Sequence, residues 1–154
     1  RARTFPSCQF LGVDRLFRRL AKLNRRAQDL KLTNIRLVQA DALEILERVL
    51  PPSRMTRGFV FFPDPWPKRA HHRRRLVSPR FLDGVFRALI PGGEIHLATD
   101  DSDYFAAIQT LLGKDCRFQA IPPLTPGPEE QTEFEIIAHR ENKTVHRSAF
   151  RKIQ

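Results

Sequence analysis

The run Phe61-Phe62-Pro63-Asp64-Pro65-Trp66-Pro67-Lys68 puts one carboxylate and the chain's single tryptophan in a turn locked by three prolines. Proline fixes φ and removes a backbone donor, so the turn is stiff. The apolar residues 58–62 before it read as a strand. A rigid loop after a strand is where α/β folds hold a reactive or binding group. Lys68, Arg69, His71, His72, Arg73, Arg74 and Arg75 follow directly. So much positive charge suits a polyanion, although the same composition describes a structural turn leading into a solvated basic helix. Trp66 fits either stacking on an exposed base or packing behind the loop.

Three more carboxylates sit at comparable places. Asp14, Asp41 and Asp100, like Asp64, each fall at or just past the end of an apolar segment. In an open α/β sheet the C-terminal strand ends share one edge, where ligands bind. Asp14 then fits a ribose diol, and Asp41 an adenine amino group or nearby polar atoms. Each is also a favoured helix cap, a role worth about 0.5–2 kcal/mol. These carboxylates suit a dinucleotide and a sulfonium cofactor alike; both normally need a glycine-rich loop after the first strand, and no Gly-x-Gly occurs among the seven glycines.

The elements that must position these groups alternate. Residues 9–13 read as a strand and 16–30 as a helix with Leu16, Leu20, Leu23, Ala27 and Leu30 at helical spacing. Thr33-Asn34 is a turn, 35–38 a strand, and 42–50 a helix stopped by Pro51-Pro52. Residues 59–62 are apolar throughout, which predicts a strand buried on both faces. Ser78-Pro79 starts a helix that runs to about Leu89 and ends at Pro91-Gly92-Gly93. A strand over 94–98, a helix over 104–112, a strand over 117–121, a proline-rich loop over 122–128, an ambiguous helix over 131–139 and a last strand over 144–153 complete the chain. This order predicts an α/β fold, a doubly wound and mostly parallel sheet with late antiparallel strands, in a single domain over 1–154.

Composition narrows the partners. A chain of 154 residues with 41% hydrophobic content is long enough for a real core and is not disordered. Its net charge of +10 favours nucleic acid or an acidic surface over a small neutral substrate. Arg15, Arg18, Arg19, Lys22, Arg25 and Arg26 on the first helix either extend a basic patch or face water. No segment is apolar enough to span a membrane. Cys8 and Cys116 lack ligand spacing, which fits a reducing cytoplasm, and the five histidines form no metal pattern, so no metal is expected.

Three segments together resemble the bacterial tRNA (guanine-N7)-methyltransferase family, TrmB. They are residues 61–77, the Pro91-Gly92-Gly93-Glu94-Ile95-His96-Leu97-Ala98-Thr99-Asp100 stretch, and Thr132-Glu133-Phe134-Glu135. The resemblance runs from about Phe10 to the C-terminus. It implies a Rossmann-like methyltransferase sheet, S-adenosyl-L-methionine as methyl donor and a guanosine in the tRNA variable loop, typically position 46, as acceptor. It implies a catalytic role for Asp64 and cofactor contacts from Asp14, Asp41 and Asp64. It implies substrate contacts from Lys68, Asp100, Thr132, Glu133, Phe134 and Glu135. Ala70, His71, His72, Arg73, Arg74 and Arg75 match its RNA-contact segment. A cytoplasmic monomer or homodimer is expected.

The chain departs from the family pattern at Asp14, where the family more often has Glu, at Asp101, where it has an aromatic residue, and at Glu133, where it has Lys or Asn. The resemblance also implies that a first strand and a glycine-rich cofactor segment precede Arg1, with that strand lying mid-sheet between the strands at 9–13 and 59–62. Two other readings stay open on the residues alone. One is a methyltransferase acting on an amino group, since Asp-Pro-x-aromatic turns occur there too. The other is a noncatalytic RNA-binding relative.

Overall fold

A computed structural model describes residues 1–127 and 130–153. The chain divides into two compact units, Arg1–Val49 and Leu50–Gln154. Its strands fall into two sheets, β1-β2 in the first unit and β3-β4-β6-β5 in the second. Strands β1 and β3 each stand at an edge of their own sheet.

In the first unit, β1 (Phe10–Asp14) pairs in parallel with β2 (Ile35–Gln39), Asp14 opposite Gln39. Helix α1 (Phe17–Asp29) connects them and buries Leu20 and Ala27. Leu16, Leu23 and Leu30, at the same helical spacing, are exposed. Asn34, expected only to turn the chain, is buried, and its Nδ2 donates to the carbonyls of Ala2, Phe5 and Cys8. It thereby ties the N-terminal segment to the start of β2. After β2, one turn of α-helix, α2 (Ala42–Glu44), widens into a π-helix over Ile45–Val49. Leu46 is buried, as a 3.6-residue period over Leu43, Leu46, Val49 and Leu50 predicts, but Ile45 is buried beside it and Val49 is exposed.

In the second unit, β3 (Met55–Phe61) runs parallel to β4 (Leu89–Thr99), and β6 (His146–Lys152) runs antiparallel to both β4 and β5 (Phe118–Ile121). The late strands are antiparallel, as the sequence predicts. Three helices pack on this sheet. Helix α3 (Pro79–Ala88) is capped by Ser78, whose side chain accepts from Phe81 N, and it buries Phe81, Leu82, Val85 and Ala88. Helix α4 (Ser102–Gly113) is capped by Asp101 and buries Tyr104, Ile108 and Leu112, four residues apart. Helix α5 (Glu133–Arg140) is capped by Thr132.

Two expectations are corrected here. Strand β3 is not buried on both faces: it is an edge strand with Phe61 exposed. Pro91-Gly92-Gly93 does not separate helix from strand but lies inside β4, which starts directly after α3. Pairing with β3 skips from Met55–Leu89 to Arg57–Glu94, so the three residues, with Ile90, make a four-residue bulge opposite Thr56. Gly92 supplies the positive φ (74°), and a Cβ on Gly93 would lie 2.9 Å from the Ile90 carbonyl oxygen. Of the proline-rich loop, Pro128 lies outside the described residues.

The core concentrates on β4, where Ile95, Leu97, Ala98 and Thr99 are all buried. Lys152 is buried as well. Its ammonium donates to the carbonyls of Phe86 (2.8 Å) and Leu89 (2.9 Å), satisfying acceptors that the end of α3 leaves unpaired.

Candidate functional site

The backbone around Asp64 is strained on both sides. Phe62 and Trp66 adopt left-handed φ values of 51° and 46°. Such a conformation in a bulky non-glycine residue costs about 1–3 kcal/mol and persists only where the surroundings over-determine it. Several contacts do so here. Phe62 N donates to Ala98 O of β4 (2.8 Å), and its ring stacks on Phe134 of α5 with centroids 6.0 Å apart. Trp66, half-buried, meets the edge of His71 at 5.8 Å, and Arg74 lies 5.0 Å over its ring. Trp66 is therefore packed against the basic segment rather than in the core. Pro65 O accepts from Arg75 Nε at 2.8 Å. Between these anchors Asp64 is exposed, and its carboxylate has no hydrogen-bond or ion-pair partner among the described residues.

The basic run divides by exposure. It forms a short 3-10 helix, Arg69–Arg74, with Lys68 at its start. Lys68, Arg69, Ala70, Arg73 and Arg74 are exposed, and His71 and His72 are half-buried. Arg75 stands apart from this exposed set: its side chain is only 7% exposed. Besides Pro65, it pairs with Asp103 Oδ2 at 2.5 Å and lies 4.7 Å over the ring of Tyr104. That hydrogen bond from Arg75 holds the Asp103 carboxyl below its ordinary range. Burial pushes the Tyr104 phenol up, and the nearby Asp64 charge pushes the same way. An open depression of about 500 Å³ beside the turn is lined by Pro67, Arg69, His72, Asp101 and Asp103. Asp101, which stands where the family has an aromatic residue, accepts from Tyr104 N at 2.7 Å and so starts α4.

Other predicted residues reach the same end of the second unit's sheet. Asp100 follows β4, the parallel neighbour of β3, and lies 3.7 Å from Lys143 Nζ. The Thr132–Glu135 stretch forms the start of α5. Thr132 Oγ1 accepts from Glu135 N at 3.1 Å, Glu133 is exposed, and Phe134 reaches Phe62. Glu135 is buried: its side chain is 5% exposed and pairs with Arg147 of β6, fastening the helix to the sheet. A carboxylate three residues after a Thr cap is the sequence signature of a helix start, and that signal was available.

In the first unit Asp14 and Asp41 end the two paired strands. Asp14 Oδ1 accepts from Leu16 N at 2.7 Å, and Arg19 lies 3.4 Å from Oδ2. Asp41 Oδ1 accepts from Leu43 N at 2.9 Å, capping α2, with Arg15 3.8 Å from its other oxygen. The backbone joins them, Ala40 N donating to Asp14 O. Each therefore spends one oxygen on local backbone and turns the other toward an arginine, with the side chain as a whole 27% exposed for Asp14 and 45% for Asp41. Such a pair of acceptors fits the hydroxyls of a ribose and the amino group of an adenine. Among the described residues no group of His, Cys, Asp or Glu is arranged to hold a metal ion. No described helix is long and apolar enough to cross a membrane.

The arrangement has relatives. A family model described as "Putative methyltransferase" matches residues 1–149. The curated tRNA (guanine-N(7)-)-methyltransferase of Nitrosospira multiformis is 38% identical over 156 residues, covering 99% of this chain and 68% of its own. That of Halorhodospira halophila is 37% identical over 153 residues, covering 95% and 65%. The chain thus spans about two thirds of the length of these curated relatives. Among solved structures, a Streptococcus mutans methyltransferase in complex with SAH superposes with a TM-score of 0.62 at 13% identity, covering 94% of this chain and 76% of that one. That likeness shows the fold: a Rossmann-like methyltransferase α/β architecture.

Proposed function

Since this chain belongs to the tRNA (guanine-N7)-methyltransferase family, we propose that the protein transfers a methyl group from S-adenosyl-L-methionine to N7 of a guanosine in tRNA, in the variable loop and typically at position 46. In this reading both units contribute to one methyltransferase domain in the cytoplasm. The observation that carries it is the Asp64 turn: a free, exposed carboxylate on a strained, multiply anchored loop, followed directly by exposed cations.

The chemistry asks little of the protein beyond placement. Guanine N7 has an unprotonated lone pair, so no general base is needed. The bound donor supplies an electrophilic methyl group on a sulfonium. Alignment of the acceptor then carries most of the acceleration, and positioning is worth roughly 7–11 kcal/mol in favourable cases. Asp64 accepts hydrogen bonds from the guanine N1–H and amino edge and fixes the base. Its negative charge also favours the purine as N7 methylation makes it positive. Asp14 and Asp41 hold the ribose and adenine portions of the donor. Lys68, Arg69, Arg73 and Arg74 meet phosphates and set affinity and register rather than base identity. Thr132, Glu133 and Phe134 form the substrate side in this reading, which the stack of Phe134 on Phe62 of the Asp64 turn supports. A stacked base must leave its stack to be reached in line, and the accessible side of Trp66 offers it a new one.

The test uses unmodified tRNA transcripts and labelled donor, followed by aniline cleavage at N7-methylated sites. Cleavage at one variable-loop guanosine is expected. Label that enters the RNA without aniline-sensitive sites would point to an amino group as acceptor and reject the N7 assignment. RNA binding with no transfer of label would leave the noncatalytic reading in its place.

A further inference from the structure

Three arginines follow one another at the end of the basic segment, and only the third is buried. The guanidinium of Arg75 is engaged on three sides. Nε donates to Pro65 O (2.8 Å), Nη2 donates to Asp103 Oδ2 (2.5 Å), and the Tyr104 ring lies beneath it at 4.7 Å. Tyr104 is itself fixed: it is almost fully buried, and its hydroxyl accepts from Val77 N at 2.9 Å. A planar guanidinium with two hydrogen-bonded edges and one covered face has a single orientation available.

What it holds is the peptide plane next to the carboxylate. Pro65 has no N–H, so its carbonyl is the one backbone group through which this residue can be gripped. That carbonyl belongs to the peptide leading into Trp66, whose φ of 46° is measured against the same plane. Releasing the carbonyl frees the plane to rotate toward an ordinary φ and swings Asp64, one residue earlier, with it. A phosphate could reach Arg75 only after its guanidinium had left Pro65, Asp103 and Tyr104.

We propose that Arg75, held by Asp103 and Tyr104, is the positioning residue of the Asp64 turn, and that RNA contact belongs to its exposed neighbours. The proposal rests on the reading of Asp64 as the group that orients the acceptor base.

The experiment compares Arg75→Met with Arg73→Met in the full-length protein by three readouts. The first is acrylamide quenching of Trp66, taken as the difference from a Trp66→Phe background. The second is the single-turnover methyl-transfer rate at saturating tRNA. The third is tRNA affinity as a function of salt. Arg75→Met should raise Trp66 quenching and slow transfer by about a hundredfold, the scale of a small misplacement of reacting groups. Its tRNA affinity should stay within about threefold and its salt slope unchanged, since no phosphate contact is lost. Added guanidinium at non-denaturing concentration should restore part of the rate. Arg73→Met should do the reverse, with Trp66 quenching as in the parent, affinity lower, and the slope shallower by about 0.7–0.9.

A weaker affinity and shallower slope in Arg75→Met, with the transfer rate and Trp66 quenching of the parent, overturn the proposal and make Arg75 a phosphate contact. Should Arg75→Met fail to fold, Asp103→Asn decides instead. It keeps the shape and removes the charge, and it should raise Trp66 quenching and slow transfer by about tenfold. Unchanged values in that variant overturn the proposal equally. Should the parent protein transfer no methyl group to tRNA, the functional reading fails, and the quenching difference alone decides whether Arg75 holds the turn.

Discussion

Asp41 and Asp64 both follow a parallel strand, yet their surroundings differ in kind. Asp41 caps a helix, faces Arg15, and stands on relaxed backbone (φ −75°). Asp64 caps nothing, pairs with nothing among the described residues, and stands between two left-handed residues held from outside. The first arrangement stabilises a fold and leaves one oxygen over for a ligand. The second is costly to the fold, and its strain keeps a carboxylate exposed at a fixed angle. The contrast teaches that position at a strand end names a candidate, while the local hydrogen-bond ledger separates capping from chemistry.

That contrast can be broken in order of effect. Asp64→Ala should slow methyl transfer by about 10²–10³, the scale of removing one preorganised electrostatic group, with tRNA retention on filters nearly unchanged. A loss of stability in place of activity would make Asp64 a structural residue like its counterpart. Glu135→Gln leaves Arg147 without its buried partner and should cost about 3 kcal/mol in urea unfolding. A stable variant with weak substrate binding would favour the substrate-contact role for Glu135 over the structural one. Asp41→Ala should cost about 1 kcal/mol as a lost cap and, by calorimetry, should also weaken S-adenosylhomocysteine binding. Binding that survives this change would leave Asp41 as a cap alone.

The smallest effect concerns pH. Glu94 donates nothing but accepts from Arg151 at 2.8 Å and Arg57 at 3.0 Å, with His96 at 3.2 Å. The Arg151 hydrogen bond is the largest of the influences holding its carboxyl below the ordinary 4.5. Because the folded value is depressed, its stabilisation is present above pH 4.5 and fades as the pH falls through the lower, folded value. Glu94→Gln should therefore be less stable than the parent at pH 7, and the gap should narrow in acid. A gap independent of pH would remove the charge from the account.

Much of the fold was legible because period and punctuation agreed. Ser78-Pro79 starts α3 where a cap followed by proline predicts it, and β1, β2 and β5 lie within a residue or so of their apolar runs. Legibility failed where tertiary contacts outvoted local signals. Pro91-Gly92-Gly93 reads as a turn, yet flanking pairs with Met55 and Arg57 draw it into a bulged strand. The one helix left ambiguous, α5, had its Thr-x-x-Glu signature inside the stretch read for function. Within the site, the exposed members of the basic run and Asp64 itself were visible in sequence. The burial of Arg75 and Glu135 was not. Nothing in Arg73-Arg74-Arg75 marks which arginine turns inward, because the choice depends on Asp103 and Tyr104, some 28 residues along the chain. A charged residue carries the same letter whether it meets a phosphate or a buried carbonyl.

The most direct measurement of the central claim compares guanosine with inosine at the acceptor position of a tRNA transcript. Inosine keeps N7 and N1–H and lacks only the amino group. If Asp64 orients the base through that edge, the parent protein should methylate guanosine faster than inosine, and Asp64→Ala should lower both rates to a common value. Discrimination that persists undiminished in Asp64→Ala would show that another group reads the base and would contradict the account.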